Sequence, residues 1–134
     1  MSAAENFFDT NVILYLLSAD TGKADRAEVL LTAGGTISVQ VLNEFANVAR
    51  RKLGKSWKEV RDILDILKAV CAVEPVSLAT HEKAIDIAEQ TGYSIDDSLV
   101  LAAATIANCH TVYSEDMQHG QVIEGRVTIR NPFL

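Results

Sequence analysis

The chain has 134 residues, 49% hydrophobic and 22% charged, with seven glycines and two prolines; this excludes a disordered chain and fits one domain, residues 1–134, around one core. Its formal net charge of −6 argues against general nucleic-acid binding, which needs Lys and Arg, unless some acids hold cations and the bases are clustered. Cys71 and Cys109 are far apart without CxxC spacing, which excludes a zinc or disulfide framework and reads as two buried thiols in a reducing, cytoplasmic setting; the longest apolar run, Val12 to Leu17, is too short for a membrane span.

Asn6 to Phe8 reads as a short strand that meets a polar corner at Asp9-Thr10-Asn11 and enters a buried helix at Val12. Ala24 to Ala33 reads as a helix stopped at Gly34-Gly35, with a second strand over Thr36 to Ser38. From Val39 to Leu53 the apolar positions Val41, Leu42, Phe45, Val48 and Ala49 recur at helical spacing, with Glu44 among them and Arg50-Arg51-Lys52 at the end. Ser56 can cap the next helix, whose stripe of Trp57, Val60, Leu64, Leu67 and Cys71 fits core or a homodimer face.

Val73 to Val76 reads as a third strand, followed by helices over Leu78 to Thr91, ended by Gly92, and over Ile95 to Ala107. Thr111 to Tyr113 makes a fourth strand leading into Ser114-Glu115-Asp116, and Val127 to Ile129 a further one. Short strands alternating with helices predict an α/β sandwich with a short, mostly parallel central sheet of four or five strands. Sites on such sheets form beyond the carboxyl ends of strands, at the switch in strand order. Asp9 and Asp116 each follow a predicted strand.

Four acids stand out, and each has an ordinary explanation beside the chemical one. Asp9 can cap the helix that follows it, Ser94 with Asp97 resembles a capping box, Asp116 can bond its own turn, and Glu44 can face solvent at the edge of its helix. Their placement joins them: two after strands, one in the helix after strand two, one in the first turn of a late helix. Carboxylates gathered in a partly dry pocket repel and take up protons unless a cation separates them. Oxygen-only ligation suits Mg²⁺ or Mn²⁺, and the chemistry that follows is phosphodiester hydrolysis by metal-activated water, with no histidine base or covalent nucleophile.

Through Phe8-Asp9-Thr10-Asn11-Val12, Ser38-Val39-Gln40-Val41-Leu42-Asn43-Glu44-Phe45, Ser94-Ile95-Asp96-Asp97-Ser98-Leu99 and Ser114-Glu115-Asp116-Met117, the chain resembles the PIN-domain family. Within it, the chain is similar to the VapC-type toxins of type II toxin–antitoxin systems. The ending Ile129-Arg130-Asn131-Pro132-Phe133 resembles the family's last strand. The resemblance implies a PIN-like α/β/α sandwich and a metal-dependent endoribonuclease, with Asp9, Glu44, Asp97 and Asp116 as catalytic and metal-binding acids. Asn11 and Ser114 would orient those carboxylates. It also implies an RNA substrate, a homodimer and an antitoxin partner whose flexible segment covers the acidic pocket.

Two positions depart from the family pattern. Asp96 puts an extra carboxylate beside the site, as a further metal ligand or a helix cap, and His119 reads as a solvated loop histidine or an aid to substrate or metal. Arg50, Arg51, Lys52, Lys55 and Lys58 form the one dense basic cluster, which serves either RNA phosphates or the negative end of its own helix. The alternative functions are a catalytically silent PIN-like binding module and a receiver-like phosphoacceptor. The latter expects paired acids after the first strand and a late lysine, and here the pair Asp96-Asp97 opens a late helix instead.

Overall fold

In the computed structural model, which describes residues 5–134, β1 (Asn6–Phe8) leads through Asp9 into α1 (Thr10–Leu14), a 3-10 turn (Tyr15–Leu17) and α2 (Thr21–Thr32). β2 (Gly35–Ser38) leads into α3 (Val39–Arg51) and α4 (Trp57–Val70), and β3 (Cys71–Glu74) into α5 (Leu78–Thr91) and α6 (Ile95–Ile106). β4 (Thr111–Tyr113), β5 (Val122–Ile123) and β6 (Val127–Arg130) follow. The strands form one sheet in the order β3-β2-β1-β4-β6-β5, parallel except where β5 runs against β6.

Consecutive side chains of a strand face opposite sides of the sheet, and Phe7 and Phe8 in the central β1 are both fully buried. Helices must therefore cover both faces. The chain steps outward from β1 to β2 to β3 and then returns past β1 to β4. Right-handed crossovers made in opposite directions place α1 to α4 on one face and α5 with α6 on the other. The strand order reverses between β1 and β4, so the crevice expected of such sheets opens at their carboxyl ends. α6 is buried almost all round, with Val100 to Thr105 all inside. Each of the six α-helices starts at an Asp or Ser whose side chain accepts a first-turn N–H, which satisfies donors the helix cannot.

The sheet is the mostly parallel one expected, with six strands rather than four or five. The added strand is the two-residue β5. It returns on β6 through a tight turn in which Arg126 N donates to Ile123 O and the central Glu124 and Gly125 both have positive φ, a conformation usually signalled by Asn-Gly or Asp-Gly. The third strand covers Cys71 to Glu74 instead of Val73 to Val76: Pro75 has no N–H with which to continue a ladder, and Cys71 belongs to the strand, not to the stripe of α4. α2 begins at Thr21, capped by Asp20, three residues before the first apolar position suggested. α1 takes in Thr10 and Asn11, and α3 ends at Arg51 rather than Leu53. Trp57 is 58% exposed while Val60 and Leu67 are buried, so the α4 stripe is core only in part. Among the described residues no helix is long and apolar enough to cross a membrane.

Gly35 opens β2 where a Cβ would stand 2.5 Å from the Phe8 ring and 2.9 Å from the Asn6 carbonyl oxygen. The backbone atom cannot yield without parting β1 from β2. Gly35→Ala should destabilise the chain by about 1–3 kcal/mol, read as a lower urea midpoint at unchanged slope; an unchanged midpoint would show that the two strands tolerate separation.

Candidate active site

Parallel pairing of β1 with β4 sets Phe8 beside Tyr113, so the next residues, Asp9 and Ser114, emerge side by side past the ends of the strands. Their backbones remain tied to the sheet, Asp9 N donating to Tyr113 O at 2.9 Å and Ser114 N to Arg130 O at 3.0 Å. Ser114 Oγ then donates to Asp9 Oδ2 at 2.8 Å, and Thr10 N donates to Asp9 Oδ1, also at 2.8 Å. Asp9 is thus the N-cap of α1 and, at 5% exposure, the floor of a surface depression. The cap is one of the two roles considered for it, and it leaves the carboxylate facing the depression.

Asn11 is the hub beside it. Its Oδ1 accepts the Glu115 N–H at 3.1 Å, while its Nδ2 donates to Asp116 Oδ2 at 3.0 Å and lies 3.3 Å from both Asp9 Oδ2 and Ser114 Oγ. The amide is oriented by its partners, since only the carbonyl end can take an N–H and only the amino end can meet three acceptors. Across the depression, Glu44 Oε2 accepts the Thr10 hydroxyl at 2.8 Å and Oε1 accepts Gln40 Nε2 at 3.1 Å, one helical turn earlier on α3. Gln40 Nε2 also donates to the Asp96 carbonyl at 3.0 Å, which ties α3 to the start of α6. There Ser94 caps the helix by accepting Asp97 N at 3.1 Å.

Asp9, Glu44, Asp96, Asp97 and Asp116 line one depression of about 510 Å³, with Thr10, Asn11, Asn47 and Ser94 between them and Leu14 and Val48 at its apolar edge. An adjoining apolar trough of about 350 Å³, lined by Leu14, Leu17, Val48 and Leu53, shares Asn11 and Asp116 with it. Burial raises the Asp9 pKa to about 6; the bonds from Ser114 and Thr10 oppose the rise, and the charges of Asp97 and Glu44 add to it. Asp97 is also raised, by burial first and then by Asp116 and Asp96, against a hydrogen bond from Ser94.

Among the described residues no three acidic, imidazole or thiol groups stand close enough to hold an ion between them as placed. The donors just described hold the carboxylates apart around the depression. The donor set is nonetheless that of a hard divalent cation: the lining offers carboxylate, hydroxyl and amide oxygens and no His or Cys, and positive charge there would relieve the desolvation and repulsion that raise Asp9 and Asp97. Mg²⁺ and Mn²⁺ bind through one or two carboxylates and keep several waters, so four converging acids are not required. The residues fit such an ion and do not fit zinc, which takes His and Cys ligands.

Sequence reasoning missed Thr10 and Gln40, the two residues that hold Glu44. Gln40 sits four residues before Glu44, a spacing that puts both on one helix face. The hydroxyl of Thr10 carries no such signal. None of Arg50, Arg51, Lys52 and Lys55 lines the depression. Arg50 closes the loop between α3 and α4, donating to Lys55 O at 2.9 Å and lying 4.7 Å from the Trp57 ring centroid, and Lys58 pairs with Asp62. Arg51, seven residues after Glu44, stays on the Glu44 side of α3, roughly 10 Å along its axis. His119 Nδ1 accepts Asn131 N at 2.9 Å and fastens the C-terminal segment. Cys71 and Cys109 are buried thiols outside any disulfide, and burial raises the pKa of both, Cys71 to about 11.

The PIN domain family matches residues 7–123. No curated protein matches the chain by sequence. Among solved structures it is similar to Mycobacterium tuberculosis VapC20, a sarcin–ricin-loop-cleaving toxin, at 23% identity and TM-score 0.68 over 83% of this chain and 89% of that one. A toxin–antitoxin complex from Klebsiella pneumoniae is similar at 18% identity and TM-score 0.72 over 95% and 97% of the two chains. So is VapBC2 from Rickettsia felis, bound to a DNA fragment from its promoter, at 19% identity and TM-score 0.68 over 94% and 97%.

Asp9 titrates near 3.8 unfolded and at about 6 folded, so between those values the folded state holds the extra proton. Its contribution to stability is full below pH 3.8 and is lost as pH rises through about 6. In EDTA, wild type should therefore lose stability relative to Asp9→Asn across that window, by on the order of 2–3 kcal/mol. Thermal melts of both proteins from pH 4 to 7.5 measure this; parallel curves would show that ionising Asp9 costs nothing.

Proposed function

We propose, from the premise that the chain belongs to the PIN domain family, that it is an Mg²⁺- or Mn²⁺-dependent endoribonuclease acting as the toxin of a type II toxin–antitoxin module. The observation that carries this is the buried Asp9, set by β1 and β4 in a single depression with Glu44, Asp97 and Asp116. Sarcin–ricin-loop cleavage by one relative of the same fold supports RNA as substrate, and the complexes formed by others support a cognate antitoxin. The chain acts as one domain and pairs as a homodimer, the form that accounts for Trp57 and Ile66 on the exposed side of α4.

RNA phosphates and these carboxylates carry the same sign, so the depression repels its substrate until it holds positive charge. A divalent ion supplies Lewis acidity there, neutralising phosphate charge and making water a stronger acid. Asp9, Glu44, Asp97 and Asp116 are the residues that would hold it, and the exposed Asp96 is a further candidate beside them. The chain's own contribution is orientation. Ser114 and Asn11 hold Asp9, Asn11 holds Asp116, and Thr10 with Gln40 holds Glu44, so these three carboxylates are placed before an ion arrives. Arg51, on the Glu44 side of α3, is the base best placed for a flanking phosphate.

Purified, antitoxin-free protein incubated with total RNA should cleave it with Mg²⁺ or Mn²⁺ and not with EDTA. Asp97→Asn should reduce the rate by at least about 100-fold. Equal cleavage by the variant would overturn the mechanism, and intact RNA with either metal would make the chain a silent binding module.

A further inference from the structure

The segment that carries Asp116 lies outside the sheet. Ser114 N–H is the last to pair with β6, and no ladder hydrogen bond holds residues 115–116, while Asp116 and Asp97 repel across the depression. Side chains must fix the segment on both flanks. On the inner flank Asn11 takes the Glu115 N–H and the Asp116 carboxylate. On the outer flank the Glu115 carboxylate is held by two donors, Lys23 Nζ at 2.9 Å on Oε2 and the Tyr15 hydroxyl at 2.7 Å on Oε1.

The three side chains close a triangle, because Lys23 Nζ also donates to Tyr15 Oη at 3.1 Å. The ammonium lies 4.7 Å from the Tyr15 ring centroid and 5.2 Å from that of Phe133, and the two rings meet edge to face. Lys23 thus has a fixed seat. The Glu115 carboxylate is thereby directed away from the acidic depression, which Asp116 lines and Glu115 does not.

We infer that Lys23 is a positioning residue of the acidic centre: by clamping Glu115 with Tyr15 it holds the 114–116 segment against Asn11 and so places Asp116 for a divalent ion. This rests on the metal-dependent reading of the site. The direction of the effect separates positioning from charge. A lysine that acted only as a nearby positive charge would weaken cation binding, and its removal would strengthen it. A lysine that positions Asp116 must strengthen cation binding, and its removal must weaken it.

Calorimetric titration with Mn²⁺ tests this on wild type, Lys23→Met, Lys23→Arg and Asp9→Asn. Lys23→Met should lower Mn²⁺ affinity by about tenfold, the lower end of what loss of a supporting residue costs, and Lys23→Arg should restore it. In the metal-free protein, Lys23→Met should also speed hydrogen exchange at Glu115 N–H by roughly tenfold while Leu101 in α6 is unchanged. Affinity equal to or above wild type in Lys23→Met, or unchanged exchange at Glu115, overturns the inference. Wild type that fails to bind Mn²⁺, or binding that survives Asp9→Asn, overturns the metal reading and this inference with it.

Discussion

Everything about the depression depends on one costly act, the burial of the Asp9 carboxylate where β1 and β4 end together. A charge taken out of water must be compensated locally or it takes up a proton. Here the compensation is partial. Two short hydrogen bonds reach its oxygens, but its nearest charged neighbours have the same sign, and the result is a carboxyl that ionises at about 6. The fold tolerates this because the surroundings are rigid. Phe7 and Phe8 precede Asp9 inside the core, and Val12 and Ile13 follow it there, so the carboxylate cannot turn outward without unseating β1 or α1.

The acids around Asp9 are supported by hydroxyls and amides rather than by lysines and arginines. Thr10, Asn11, Gln40 and Ser114 supply direction without cancelling charge. Internal cations would have made the metal-free protein more stable and the depression less attractive to an outside ion. The lysine closest to the segment is instead bound to Glu115, on the flank away from the depression. Local stability is in this way given up for function, as is usual where charged groups must remain available.

How much could be read from the sequence depended on whether a feature is local. Asp9 was legible because a strand, an acid and a helix follow one another within a few residues, and Ser56 and Ser94 marked their helix starts for the same reason, whereas the caps Asp20, Ser38 and Ser77 were not read. Ser114 and Asn11 were anticipated as supports only through the family resemblance. Thr10 and Gln40 were not anticipated, because a hydrogen bond between positions 10 and 44 depends on how α1 crosses α3, which no short-range pattern encodes. β5 escaped notice because its turn uses Glu124 at positive φ, where the usual signal would be Asn or Asp. The α4 stripe overstated burial, since helical periodicity reports a face but not whether anything covers it.

The segments that meet at the depression lie far apart along the chain: Asp9 near its start, Glu44 in α3, Asp97 in α6 and Asp116 beyond β4. β1 reaches its place between β2 and β4 only after the crossover through α5 and α6 has been made. A polypeptide that ended before β4 would carry Asp9, Glu44 and Asp97 but neither Ser114 nor Asp116, and so could not assemble the depression. The late position of β4 makes the acidic cluster a product of the whole sheet rather than of any one stretch of the polypeptide.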